Sequence, residues 1–148
     1  MGTSGLNMSR RIRRTPFTNK VEECGVSDFT VVNHMLLPKG FNNSIEEDYW
    51  HLSEHVQIWD VSCQRQVQIT GPDAQKLVQL MTPRSLKNME TGKCFYIPII
   101  DENAGMINDP VLLKLNENKF WLSIADSDVL LWAKGLAIGL NLKVKIEE

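Results

Sequence analysis

The 148-residue sequence is short of cysteine, of long apolar runs and of net charge, and each shortage removes a class of protein. Its three cysteines, Cys24, Cys63 and Cys94, are odd in number, widely spaced and free of any Cys-x-x-Cys pair. They read as reduced thiols of a cytoplasmic protein, not as a disulfide frame or a zinc site. No apolar run approaches membrane-spanning length, and the first residues lack the apolar core of a signal peptide. A formal net charge of −2 argues against a general nucleic-acid binder. A glycine-rich phosphate loop, a G-x-S-x-G elbow and a dinucleotide fingerprint are all missing, which sets aside the enzymes that depend on them. There is no internal repeat and no low-complexity segment.

What remains is an ordinary globular composition, 43% apolar and 23% charged, in a chain long enough to bury a core without covalent staples. We expect a flexible basic lead over residues 1–14, then one domain over residues 15–148. Arg10, Arg11, Arg13 and Arg14 crowd the lead without interleaved aromatics. They suit a solvated tail or a clamp on the chain's own acids better than a nucleic-acid arm.

Along the domain, Phe29–Asn33 predicts a short strand, followed by an apolar loop, His34–Pro38, that either packs under the domain or lines a pocket. Ser44 and Glu47 form a capping box that opens a helix running to about Val56. This helix carries His51-Leu52-Ser53-Glu54-His55, a formal match to the H-x-x-E-H zinc-protease motif. No third ligand follows on an acidic helix and the chain is short for such a protease, so no metal is expected. Arg65–Thr70 alternates like a strand, and Gly71-Pro72-Asp73-Ala74 leads into a helix ending near Met81, with Leu77, Leu80 and Met81 on its apolar face. A strand over Lys119–Ala125, a helix from Asp126-Ser127-Asp128 to Ile138, and a strand over Lys143–Ile146 complete the order. The sum is an α+β domain: a mainly antiparallel sheet with helices on one face, close to a split βαβ layout.

Between the first strand–helix pair and the last lies Lys93–Leu115, which reads as a hairpin turning at Asp101–Gly105. Alternation puts Ile107, Asp109, Val111, Leu113 and Leu115 on one side, expected to be core. Asp109 is the exception in that row. A carboxylate there is costly to desolvate unless hydrogen-bonded, so it is either capped by its own loop or kept for a ligand. Pro110 cannot donate to a ladder and marks an edge, bulge or cleft.

The order Trp59-Asp60-Val61-Ser62, VQITGPDAQKLVQLMT, GKCFYIPIIDENAGMINDPVLLKL and FWLSIADSD resembles the folate-binding domain of the aminomethyltransferase family. That family includes the glycine-cleavage T-protein and the sarcosine and dimethylglycine dehydrogenases. Its Asp-Asp pair is Asn108-Asp109 here, a frequent His is Cys63, and a pterin-holding Asn aligns with Ala125. With NHMLLP and EHVQIWDV, these departures are similar to the dimethylsulfoniopropionate demethylase branch, and match the folate-binding iron–sulfur maturation proteins less well.

The resemblance implies a tetrahydrofolate-dependent methyltransferase moving a sulfonium methyl group of dimethylsulfoniopropionate to N5. It implies Asp109 as the catalytic and pterin-binding carboxylate and Tyr96 as its pterin-side partner. Met35 and Leu36 of the apolar loop are candidates to line the pocket. Trp50, Trp59, Trp121 and Trp132 are aromatics suited to a sulfonium, at spacings equally suited to a core. The within-family alternative is aminomethyl transfer of the T-protein type. The alternating strand at the end carries no turn after it, so the chain is expected to be the N-terminal part of a larger enzyme, poorly active alone. Such a part would be either catalytic with the rest or a non-catalytic folate-binding or assembly module, with oligomers forming through the surface left uncovered. No nucleic-acid or membrane partner is expected.

Overall fold

A computed structural model describes residues 11–148, which divide into two compact units, one reaching Cys63 and one beginning at Gln64. Met1–Arg10, with most of the expected basic lead, lie outside the described residues.

The first unit holds helix α1 (Thr18–Glu23), a hairpin of β1 (Asp28–Val32) and β2 (Met35–Gly40), and helix α2 (Ile45–Glu54). The expected apolar loop, His34–Pro38, is therefore mostly strand. Its turn residues, Asn33 and His34, both have positive φ, 50° and 62°, the backbone of a tight two-residue hairpin turn. Asparagine tolerates that region, and the buried Asn33 side chain donates to the Cys63 carbonyl at 3.0 Å. Arg13 lies beside β2, its N–H on the His34 carbonyl at 2.6 Å and its carbonyl accepting from Leu36 N–H at 2.9 Å. Arg14 binds Glu22 at 2.6 Å and Asn19 at 2.9 Å.

Two sequence signals in this unit have a visible physical basis. Ser44 caps α2 as its spacing predicts: the Glu47 N–H reaches Ser44 Oγ at 3.2 Å, and the Ser44 N–H reaches Glu47 Oε2 at 2.7 Å. The helix stops at Glu54, two residues before the expected Val56, because His55 is already extended. In Trp59-Asp60-Val61-Ser62, Asp60 accepts from Ser62 Oγ at 2.6 Å, Ser62 N at 3.0 Å and Thr15 Oγ1 at 2.7 Å. Partial burial raises its pKa and these bonds outweigh it, so the group ends below the ordinary carboxylate range.

The second unit is an antiparallel five-stranded sheet in the order β4-β7-β8-β3-β9, with a two-stranded extension β5-β6. The strands are β3 (Gln66–Thr70), β4 (Cys94–Tyr96), β5 (Ile99–Ile100), β6 (Met106–Asn108), β7 (Val111–Asn116), β8 (Lys119–Ser123) and β9 (Lys145–Glu147). Helices α3 (Ala74–Met81) and α4 (Val129–Gly139) cover one face. The order β9-β3-β8-β7 is that of a split βαβ unit, with β4 added at the edge. This is the α+β architecture expected of the sequence.

Val67, Ile69, Leu112, Phe120 and Leu122 from the sheet meet Leu77, Val78, Met81, Val129 and Ala133 from the helices, all buried. Each large aliphatic side chain buried there contributes about 1.5–3 kcal/mol. The buried stripe of α3 is Ala74, Leu77, Val78 and Met81; Leu80, expected on it, is 52% exposed. Position 80 is three residues from 77 but one from 81, and the helix turns it outward once Val78 takes the inner place. Gly71 enters α3 at φ +132°, with Lys143 O only 2.4 Å from where a Cβ would stand. Asp73 Oδ2 accepts the Lys143 N–H at 2.7 Å, so G-P-D ties the head of α3 to the approach of β9.

Among the described residues, no helix is long and apolar enough to cross a membrane, and no cluster of three or more His, Cys, Asp or Glu could hold a metal ion. Cys24, Cys63 and Cys94 form no disulfide among the described residues; Cys63 is buried and the other two are exposed.

Candidate functional site

The central hairpin forms as expected, but Pro98 and Pro110 divide it. β4 pairs with β7 below the break and β5 with β6 above it, joined by the Ile97 N–H on the Pro110 carbonyl at 3.0 Å. The turn is built by Asp101, whose Oδ1 accepts from Gly105 N at 2.7 Å and Asn103 N at 2.9 Å, with Ala104 at φ +62°.

The hairpin buries the opposite face from the one expected. Asn108, Pro110, Leu112 and Lys114 are buried, whereas Val111 and Leu115 are exposed and Ile107, Asp109 and Leu113 half-buried. Two polar residues are tolerated inside because each finds hydrogen-bond partners there. Asn108 donates to Ser127 Oγ at 2.7 Å and accepts from Ala125 N at 3.1 Å. Lys114 lays its stem in the core and donates to Met89 O at 3.0 Å and Glu117 Oε2 at 2.9 Å.

That inversion places Asp109 on the helix-free side. Tyr96 pairs with Val111, two residues from Asp109, so both side chains share one face. There the Tyr96 hydroxyl donates to Asp109 Oδ2. This bond, then slight desolvation, then the carboxylate's charge, hold the Tyr96 phenol above its ordinary pKa. Asp109 is half-buried and Tyr96 is 58% exposed, which leaves the pair open to solvent. The other carboxylate oxygen accepts nothing from the described residues.

Arg84 stiffens the same strand from its edge. Its guanidinium lies 4.3 Å from the Phe95 ring centroid and donates to Tyr96 O at 2.7 Å. Across the sheet from Tyr96 and Val111, the outer face continues with Leu113 and Trp121, whose indole donates to Gln68 Oε1 at 2.8 Å. Asn108 and Arg84 were not among the sequence candidates; the polar residue at the even position next to Asp109 was the available signal for the first.

Met35 and Leu36 lie on β2 in the first unit, Leu36 buried and Met35 half-buried. His51 and His55 share a face of α2, ring centroids 5.0 Å apart. Trp50 and Trp59 are exposed.

Residues 18–148 match the GCVT N-terminal domain. Over 140 residues the chain is 51% identical to dimethylsulfoniopropionate demethylase DmdA of Ruegeria pomeroyi, covering 95% of this chain and 38% of that protein. It is 33% identical over 88 residues to the aminomethyltransferase of Natranaerobius thermophilus, covering 60% of this chain and 24% of the relative. The crystal structure of the glycine cleavage system aminomethyltransferase T of Bartonella henselae superposes with a TM-score of 0.70 at 16% identity, over 91% of this chain and 37% of that one. At that identity the likeness is one of fold. The chain thus spans well under half the length of each of these relatives.

Proposed function

The chain belongs to the GCVT N-terminal domain family, and from that premise we propose that it is the N-terminal, pterin-facing part of a tetrahydrofolate-dependent methyltransferase acting on the sulfonium of dimethylsulfoniopropionate. The observation that carries the reading is the Asp109 carboxylate, half-buried on an open sheet face, with one oxygen held by Tyr96 and the other without a donor among the described residues. The 51% identity to a dimethylsulfoniopropionate demethylase supports the choice of donor.

The residues present suit a pterin. A pterin edge offers ring and exocyclic N–H donors, and a partly desolvated carboxylate accepts such donors strongly and directionally. Tetrahydrofolate, when bound, supplies N5 as the nucleophile for the methyl group, leaving methylthiopropionate and a proton. Asp109 would bind and orient; Tyr96, by donating to one carboxylate oxygen, would hold that carboxylate in one rotamer. The thioether that departs from a sulfonium is neutral, so no side chain has to protonate it. The chain's contribution is accordingly positioning, worth several kcal/mol of barrier when the geometry is held.

The second reading, aminomethyl transfer, is supported by the 33% identity to an aminomethyltransferase. The test is to express the longest reading frame containing these residues and incubate it with tetrahydrofolate and either dimethylsulfoniopropionate or an aminomethyl-lipoyl carrier. Formation of 5-methyltetrahydrofolate from the sulfonium is the expected result. Methylenetetrahydrofolate from the carrier alone would replace the reading with the second one. A folded protein that binds folate and forms neither product would make the chain part of a binding or assembly module.

A further inference from the structure

Asp109 sits where the ladder is interrupted: β6 ends at Asn108, β7 begins at Val111, and the Asp109-Pro110 pair belongs to neither strand. Strand pairing alone therefore does not hold the carboxylate in place. The residue before it is held by its side chain. Asn108 is buried at 4% exposure and uses both ends of its amide, Nδ2 to Ser127 Oγ at 2.7 Å and Oδ1 from Ala125 N at 3.1 Å. Both partners belong to the turn between β8 and α4, and Ser127 N–H closes that turn on Ala125 O at 3.0 Å.

Successive side chains of an extended segment point to opposite faces, and a slip of one residue exchanges them. Fixing Asn108 toward the helices therefore obliges Asp109 to face the open side, where Tyr96 stands. Beyond Asp109, Pro110 has a fixed φ and restricts Asp109 itself to extended backbone, and its carbonyl is engaged by Ile97. The carboxylate is thus held between a side-chain clamp and a stiff ring.

We propose that Asn108 is the positioning residue of Asp109: its amide clamps the end of β6 onto the β8–α4 turn and thereby fixes the face and reach of the carboxylate. A residue with only an acceptor or only a donor cannot make both bonds without help from the Ser127 hydroxyl, which turns to donate when its partner is a carboxylate. The role of Asn108 in transfer rests on the function proposed above; its control of Asp109 does not.

Because the chain has only two tyrosines, Tyr49 and Tyr96, ring-carbon NMR resolves their titrations individually in the 148-residue protein. The Tyr96 phenol reports directly on Asp109, whose hydrogen bond raises its pKa. In Asn108→Ala the Tyr96 titration should move down toward the ordinary value of about 10; Asn108→Asp, which keeps both contacts with Ser127 as donor, should retain the raised value. Ser127→Ala removes one bond and should give a smaller downward move. An unchanged Tyr96 titration in folded Asn108→Ala would overturn the proposal, as would an unchanged one in Ser127→Ala if the first variant does not fold. Since neither folate nor donor is present, this outcome is independent of whether the full-length enzyme transfers methyl groups.

Discussion

Helices α2 and α3 are of similar length and both carry apolar residues at helical spacing, yet they are used in opposite ways. α3 buries Ala74, Leu77, Val78 and Met81 completely against the sheet. α2 buries nothing: Ile45 is 91% and Leu52 53% exposed, and Val56 just beyond it is 85% exposed. A helix that gains no burial relies on its own caps and side-chain pairs, which supply tenths of a kcal/mol each. The difference teaches that apolar periodicity reports what a helix can bury, not what it does bury, and that stability is concentrated in the second unit while the first keeps uncovered apolar surface.

The same leucine-to-alanine substitution in each helix should bring out that contrast. Leu77→Ala should cost about 2–5 kcal/mol in urea unfolding, since it removes a fully buried side chain from a packed core. Leu52→Ala should change stability by less than about 0.5 kcal/mol; a cost like that of Leu77 would show that α2 is covered in solution and break the comparison. Gly71→Ala should cost at least about 1–3 kcal/mol, because φ +132° is strained for alanine and its methyl would meet Lys143 O. Smaller is the loss of the α2 cap: Ser44→Ala should cost about 1 kcal/mol of local helix stability, read by amide exchange across Glu46–Leu52.

The first unit should also respond to acid through Asp60. The folded-state pKa of Asp60 is depressed, so its contribution is fully present above the ordinary carboxylate pKa of about 4 and is lost as pH falls through the lower folded value. Asp60→Asn should remove that portion of the acid dependence, measured by following unfolding from neutral pH down to about pH 2. An unaltered acid profile in the variant would assign the dependence to other carboxylates.

The order of elements from Gln66 onward was legible because each is bounded by chemistry that acts locally: Gly71 before α3, the Asp101 turn, Asn116-Glu117-Asn118 between β7 and β8. β2 was missed because its turn, Asn33-His34, achieves positive φ without glycine and depends on a side-chain bond to Cys63, thirty residues away. The buried face of the hairpin was misassigned for a related reason. Counting apolar residues favours Ile107, Val111, Leu113 and Leu115, but Asn108 and Lys114 are made compatible with the interior by partners at 125, 127, 89 and 117 that no local pattern shows. The pairing of Tyr96 with Asp109 came from the family resemblance, and the hairpin register is compatible with it. What holds Asp109 there was not legible, since the clamp joins strands separated by a whole hairpin.

The most direct test of the account is the effect of Asp109→Ala on methyl transfer by the full reading frame, with circular dichroism to verify the fold. The expected result is a folded protein that forms no detectable 5-methyltetrahydrofolate from dimethylsulfoniopropionate while the unsubstituted protein does. Near-normal turnover in the variant would contradict it and remove Asp109 from the site.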